Sequence, residues 1–187
     1  MIVATWEEFL AGRTAAGPAL RERPCRLTVG VFDGLHLGHR RLVAAITGTG
    51  AGDAAGTTAG PSGDEPRRPL PVVVTFRRPP GQVLGTTGAP GLILSLPQRL
   101  RRMASLGVGL AVLIDFSEEI STLSGRDFVD LLRARLAIER IVVGLNFRFG
   151  WKRNADVRDL EAMLAGPASP GTAPGPTPLQ VIAPVLL

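Results

Sequence analysis

The sequence predicts an α/β fold: a doubly wound, mostly parallel sheet of five strands with helices on both faces. Three observations carry that expectation. The runs "RLTVGVF", "PVVVTF", "LAVLIDF", "RIVVG" and "LQVIA" are short and continuously apolar rather than alternating, as strands buried on both faces must be. The stretches between them have helical spacing and helix-start signals. Strand and helix then alternate along the chain, which is the pattern of a parallel sheet with crossover helices.

In order, "RLTVGVF" reads as a buried strand ending at Phe32, and "LGHRRLVAAI" has helical spacing at Leu37, Leu42 and Ile46. "PVVVTF" is the second strand. "SLPQRLRRMASLG" opens with Ser95 and Gln98 in capping-box register, carries Pro97 in its first turn and closes with Gly107 at C′. "LAVLIDF" is the third strand. "SGRDFVDLLRARLA" has Ser124 as N-cap, Asp127 three residues on, and Phe128, Leu131, Leu132 and Leu136 on one face. "RIVVG" is the fourth strand, "DVRDLEAMLAG" a further capped helix with Asp156 as N-cap, and "LQVIA" the fifth strand. Residues 47–71 and 166–178 are rich in Gly, Ala, Thr and Pro without apolar period. They read as flexible surface insertions in a single domain spanning 1–187.

The chain has 187 residues, enough to bury a core without disulfides or metals, and 45% of them are hydrophobic. Its single cysteine, Cys25, excludes an internal disulfide or a metal knuckle and fits a cytoplasmic setting. Glu7 and Glu8 interrupt "MIVATWEEFLAG", so no signal peptide is expected, and no apolar run approaches a membrane span. Net charge is +5 and Lys152 is the only lysine. The arginines are scattered and few aromatics lie between them, which disfavours polymeric nucleic acid and favours a small phosphate-bearing ligand.

Both histidines, His36 and His39, fall within "GVFDGLHLGHRRL". Asp33-Gly34 is a turn after the strand, and Gly38 allows backbone to approach a ligand. A helix beginning near Leu37 would aim its unpaired N–H groups at the carboxyl edge of the sheet, where α/β folds bind ligands. His36 and His39, three apart, can face the same way there and donate to phosphate oxygens. The alternative is that His36 only caps the turn and His39 is a surface residue. A metal site lacks a ligand set, because no Cys or Glu accompanies the pair.

"GVFDGLHLGH" resembles the GxFDGxHxGH signature of the HxGH nucleotidyltransferases. "VVVTFRRPP", "LSGRDFV" and "VVGLNFRFGWKRNAD" are further similar to the TFxPHP, LsxexFv and VGxxFRFGxxRxGD stretches of the FMN adenylyltransferase (FAD synthetase) domain of bacterial bifunctional enzymes. The resemblance runs from the "RLTVGVF" region to about Val185 and implies a Rossmann-like domain. It implies transfer of AMP from ATP to FMN, giving FAD and pyrophosphate with Mg²⁺ assisting and no covalent enzyme intermediate. By the same resemblance His36 and His39 hold the nucleotide phosphates and Asn146 assists near phosphates and metal. Gly30, Phe32, Asp33, Gly34 and Gly38 shape the ATP loop, and Phe76, Pro80 and Phe149 line the flavin region. Bland alternatives stay open: core packing for Phe76, Phe147 and Phe149, a turn for Asn146, and solvated positions for Arg148 and Arg153.

Three departures qualify the match. "TFRRPP" puts Arg78 and Pro79 where the family has proline and histidine, and Ala155 replaces a usual glycine. The family's ISSTxxR segment would follow "LQVIA", and the sequence ends at Leu187 before it, as it does before a riboflavin kinase domain. The expectation is therefore a nucleotidyltransferase domain impaired in stabilising the leaving pyrophosphate. The rival readings are a non-catalytic flavin- or nucleotide-binding module and a nucleotidyltransferase for another phosphorylated acceptor.

Overall fold

The valine-rich runs form the interior of a six-stranded, all-parallel sheet in the computed structural model, which describes residues 1–49, 68–78, 91–166 and 176–185. The strands are β1 (Ile2–Thr5), β2 (Pro24–Val29), β3 (Leu70–Phe76), β4 (Leu110–Ile114), β5 (Ala137–Gly144) and β6 (Leu179–Ile182). The helices are α1 (Trp6–Leu10), α2 (Leu37–Thr47), α3 (Leu96–Ser105), α4 (Glu118–Thr122), α5 (Gly125–Arg135) and α6 (Val157–Ala165), with short 3₁₀ turns at Gly17–Leu20 and Trp151–Arg153.

Side chains alternate between two apolar layers. Val72 and Val74 face one layer, with Trp6, Phe9, Val129, Leu132, Leu160 and Leu164 from α1, α5 and α6. Val73 faces the other, with Leu42, Val43, Ile46 and Met103 from α2 and α3. This two-sided burial is why the strands read as unbroken apolar runs, each side chain contributing roughly 1.5–3 kcal/mol relative to exposure.

Strand order is β1-β4-β3-β2-β5-β6. From β2 the chain builds outward through β3 and β4, then returns to place β5 on the other flank of β2. The order therefore reverses between β2 and β5, and a crevice opens beyond their carboxyl ends.

The expected caps are present. Ser95 and Gln98 form a capping box on α3 with Pro97 inside the first turn, Ser124 accepts from the N–H of Asp127 on α5, and Asp156 accepts from Arg158 and Asp159 N–H on α6. Gly107 follows α3 with φ +88°.

Several expectations are corrected. The sheet has six strands rather than five, because Ile2–Thr5 pairs with β4 at an edge. The first predicted strand stops at Val29, three residues before Phe32: pairing with β3 ends at Val29–Val74 with one further bond from the Gly30 N–H, and the chain then turns away through Phe32, whose φ of +52° is not a strand conformation. Thr47 closes α2 and Leu70 and Pro71 belong to β3, so the 47–71 insertion is shorter at both ends. Its residues 50–67, and 167–175 of the 166–178 insertion, lie outside the described residues.

Candidate active site

The loop after β2 turns through backbone conformations that strands and helices do not use. Phe32, Gly34 and Leu35 all have positive φ, at +52°, +72° and +45°. For Phe and Leu such values cost on the order of 1–3 kcal/mol each, so neighbouring packing must impose them. The Phe32 ring is completely buried and folds over Gly30, where a Cβ would lie 3.1 Å from its edge. Leu35 is buried as well. The Asp33 carboxylate accepts from the N–H groups of Ile93 at 3.0 Å and Leu94 at 3.2 Å, tying the loop to the entry of α3. Burial works against that carboxylate, but the N–H groups of Ile93, Leu94 and Gly34 and the charge of Arg99 hold its pKa below the ordinary value.

The loop delivers both histidines to the first turn of α2. His36 is the N-cap, and its Nδ1 accepts from the His39 N–H at 3.4 Å. That bond is long, so the cap is weak. The two rings stack with centroids 3.7 Å apart, and His39 also lies 5.0 Å from the Phe32 ring. The packing at Gly38 is close: an added Cβ would lie 3.1 Å from His36 Cε1, so the ring would have to shift to admit it. His39 is thus pressed between two rings rather than free on the helix surface, and the capping alternative holds only for His36. Burial, then the neighbouring His36, push the His39 pKa down to about 4, against the opposing pull of the Asp33 carbonyl and carboxylate. His39 Nδ1 is buried with no hydrogen-bond partner among the described residues.

The second motif continues from β5 across the switch point. A turn closed by the Phe147 N–H on the Gly144 carbonyl (2.9 Å) carries Asn146, which is exposed. The β2–β5 register, with Thr28 opposite Val142, brings this turn to the same sheet edge as the histidine loop. Phe147 and Phe149 stack 5.2 Å apart; Phe149 is only 7% exposed, and Phe147 is the more accessible of the two. Arg148 pairs with the Asp156 carboxylate at 3.1 Å, so it belongs to the α6 cap. Gly150 (φ +74°, ψ 178°) begins a turn in which Lys152 and Arg153 both have positive φ, and an isolated bridge joins Phe149 to Ala155.

At the end of β3, half-buried Phe76 meets Phe116 edge-on at 6.1 Å, and Arg77 Nε donates to Asp115 at 2.9 Å. That ion pair offsets one of the two charges of "TFRRPP". Pro79 and Pro80 lie outside the described residues.

Sequence reasoning missed Arg99 and Phe116. Arg99 is fully buried and donates to the carbonyls of Val31, Phe76 and Arg77. Cys25 is inert, since burial pushes its thiol up to about 12. Among the described residues no helix is long and apolar enough to cross a membrane.

A parallel sheet reversing at β2/β5, with paired histidines on a helix start at that point, is consistent with a Rossmann-like nucleotidyltransferase fold. A family model described as FAD synthetase matches residues 19–167, and the chain belongs to that family. It is 33% identical over 134 residues to the bifunctional riboflavin kinase/FMN adenylyltransferase of Escherichia coli strain K12, covering 71% of this chain and 38% of that protein. Its identity to the Bacillus subtilis protein of the same description is 27% over 143 residues, covering 76% and 41% of the two chains. The chain thus spans about two fifths of the length of these curated relatives. A solved structure described as a macrolide-efflux protein from Streptococcus pneumoniae superposes with a TM-score of 0.68 at 20% identity, over 99% of this chain and 51% of that one. That likeness concerns the fold alone.

Proposed function

We propose that this domain transfers AMP from ATP to FMN, forming FAD and releasing pyrophosphate. The observation that carries the reading is the stacked His36–His39 pair on the first turn of α2, at the sheet's switch point. Family membership supports ATP and FMN as substrates.

An oxygen of the FMN phosphate attacks the α-phosphorus of ATP, and the bond to the pyrophosphate oxygen breaks in the same displacement. The reaction asks for alignment and charge neutralisation rather than for a nucleophilic side chain. With His36 Nδ1 accepting from the His39 backbone N–H, Nε2 of its exposed ring is the atom left to donate to a phosphate oxygen. His39 stays uncharged at neutral pH and packs against the His36 ring, holding it at the mouth of the loop. The N–H groups at the start of α2 and the positive end of its dipole supply the remaining donors. Gly30, Phe32, Asp33, Gly34 and Gly38 hold this loop in shape, and Asn146 faces the nucleotide from the β5 turn. Phe76 and Phe149, with Phe147 and Phe116, offer apolar rings for the isoalloxazine; the same role is proposed for Pro80 from the sequence resemblance alone.

Mg²⁺ belongs to the same reading. Among the described residues no three His, Cys, Asp or Glu side chains cluster. On the histidine loop and the Gly144–Phe147 turn the side-chain carboxylate and amide oxygens are those of Asp33, engaged by Ile93 and Leu94, and of exposed Asn146. Such a set suits an ion carried mainly by phosphate oxygens with Asn146 as its protein ligand. When bound, the ion neutralises charge on the leaving pyrophosphate. A cytoplasmic location accords with this chemistry and with the single thiol.

The test is formation of FAD and pyrophosphate from FMN, ATP and Mg²⁺ by the purified 187-residue chain, with His39→Ala as control. Production that depends on His39 supports the reading. Exposed Arg78 at the acceptor side favours a second reading, a non-catalytic binding module. Saturable binding of FMN and ATP with no pyrophosphate release would establish that one instead.

A further inference from the structure

Arg99 occupies the fourth position of α3, and none of its side chain is exposed. An apolar side chain of similar length would fill that space without desolvating a guanidinium, so packing alone does not explain an arginine. Its three donated hydrogen bonds all end on backbone carbonyls at the carboxyl edge of the sheet. Nη1 reaches Val31 at 3.2 Å and Phe76 at 3.0 Å, and Nη2 reaches Arg77 at 2.6 Å.

Val31 belongs to the histidine loop, whereas Phe76 and Arg77 belong to the segment assigned to the flavin. Direct pairing of β2 with β3 ends at Val29–Val74, extended by one bond from the Gly30 N–H to the Val74 carbonyl. Beyond that rung the two strands separate, and the Arg99 fork bridges them where the ladder stops. Thr75 Oγ1 adds a bond to the same Val31 carbonyl at 2.9 Å. The helix is tied back in turn, through Asp33 on Ile93 and Leu94 and through Arg102 Nη1 to the Gly34 carbonyl at 3.5 Å. Loop, helix and acceptor wall thus form one closed circuit.

We propose that Arg99 is a positioning residue for the transfer: it locks the nucleotide loop to the acceptor wall and sets the separation of the two substrates while touching neither. The inference rests on the adenylyl-transfer reading above. Each substrate binds mainly to its own wall, so loss of the tether leaves the separate affinities nearly intact and spoils the alignment between them.

Arg99→Met and Arg99→Lys test it. The expected result is dissociation constants for FMN and for a non-hydrolysable ATP analogue, each measured alone, within about 3-fold of wild type. Turnover of the Met variant falls about 100-fold, the scale of a misplacement near 1 Å. Lysine, a point charge without the planar fork, restores it only to about 10-fold below wild type. Hydrogen exchange in Arg99→Lys speeds up at the 31–34 and 76–78 amides together, while the β2–β3 ladder stays protected. If the Met variant does not fold, the Lys variant carries the test alone.

Unchanged kcat in a folded variant overturns the proposal. So does a loss that follows substrate affinity or the folded fraction, or faster exchange in one segment only. Wild-type protein that makes no FAD counts against the adenylyl-transfer reading, and the exchange measurement still decides whether Arg99 couples the two segments.

Discussion

The imidazoles of His36 and His39 stack at 3.7 Å with their planes 25° apart, so a proton on one opposes a proton on the other. With burial acting in the same direction, His39 remains neutral to about pH 4. Above that pH it adds no positive charge to the loop.

That depression has a consequence for stability. In the unfolded chain His39 titrates near ~6.5. As pH falls from there towards 4, the unfolded state binds a proton that the folded state refuses, so the folded state loses stability across that window. Thermal unfolding between pH 7.5 and 4 should show a falling Tm, and His39→Asn should flatten the fall. A variant slope equal to wild type would mean that another group is responsible. Asp33 acts in a lower window: its folded pKa is depressed, so its stabilising effect is present above the normal carboxylate range and fades only as pH drops through and below it.

The His36 cap and the His36 donor separate experimentally. Its 3.4 Å capping bond is a poor one, and serine is a better N-cap. His36→Ser should be as stable as wild type, or more stable by up to about 1 kcal/mol. Its turnover should nevertheless fall on the order of 100-fold, the loss typical of one missing transition-state donor. Retained turnover would reduce His36 to a helix cap.

Gly38→Ala should divide stability from activity in the same way. Alanine suits a helix better than glycine, by about 1 kcal/mol in an interior position and less in a first turn. Its Cβ, however, would press on His36 Cε1 and Nδ1 at 3.1 and 3.2 Å. The exposed ring yields and the stack opens. We expect an unchanged or higher Tm with turnover down about 10- to 100-fold; equal turnover would show that the stack is not needed.

Gly150 is the opposite case. Its φ of +74° with ψ of 178° belongs to a region open almost only to glycine. A Cβ there would sit 2.7 Å from the Gly125 nitrogen, at the first residue of α5. Gly150→Ala should cost about 2–4 kcal/mol, read from denaturant unfolding. A cost below about 1 kcal/mol would mean that the turn relaxes freely.

The central sheet and the capped helices were legible because period and caps are local signals. β1 was not: four residues at an edge, just before α1, give too short a run to register. A signal existed in the Thr5–Glu8 capping box, which fixes where α1 begins and leaves "IVAT" as the strand before it. The strand expected to reach Phe32 stops early because apolar character continues into the loop, while the positive φ of Phe32 comes from packing that no local pattern encodes. The paired histidines were visible from spacing and flanking glycines. Arg99 was not, since an arginine among Arg101 and Arg102 on a helix reads as solvated surface. Only the path of α3 across the sheet edge buries it. Phe116 likewise gains its partner Phe76 from the neighbouring strand, a pairing invisible along the chain.

The sheet also divides the effects of mutation. Val73, Phe32 and the inward faces of α2 and α3 lie on the side of the histidine pair, whereas Val72, Val74 and the α1, α5 and α6 faces lie on the other. Volume changes such as Leu160→Ala or Leu132→Ala act in the layer that also holds Phe149, with Phe76 and Phe147 packed against it, and should disturb the acceptor side while leaving the histidine helix in place. Lesions at Val43 or Ile46 reach the base of the histidine helix and should disturb the nucleotide side. A survey of variants would then sort into two populations, one altered towards each substrate, with the boundary between them drawn by the sheet itself.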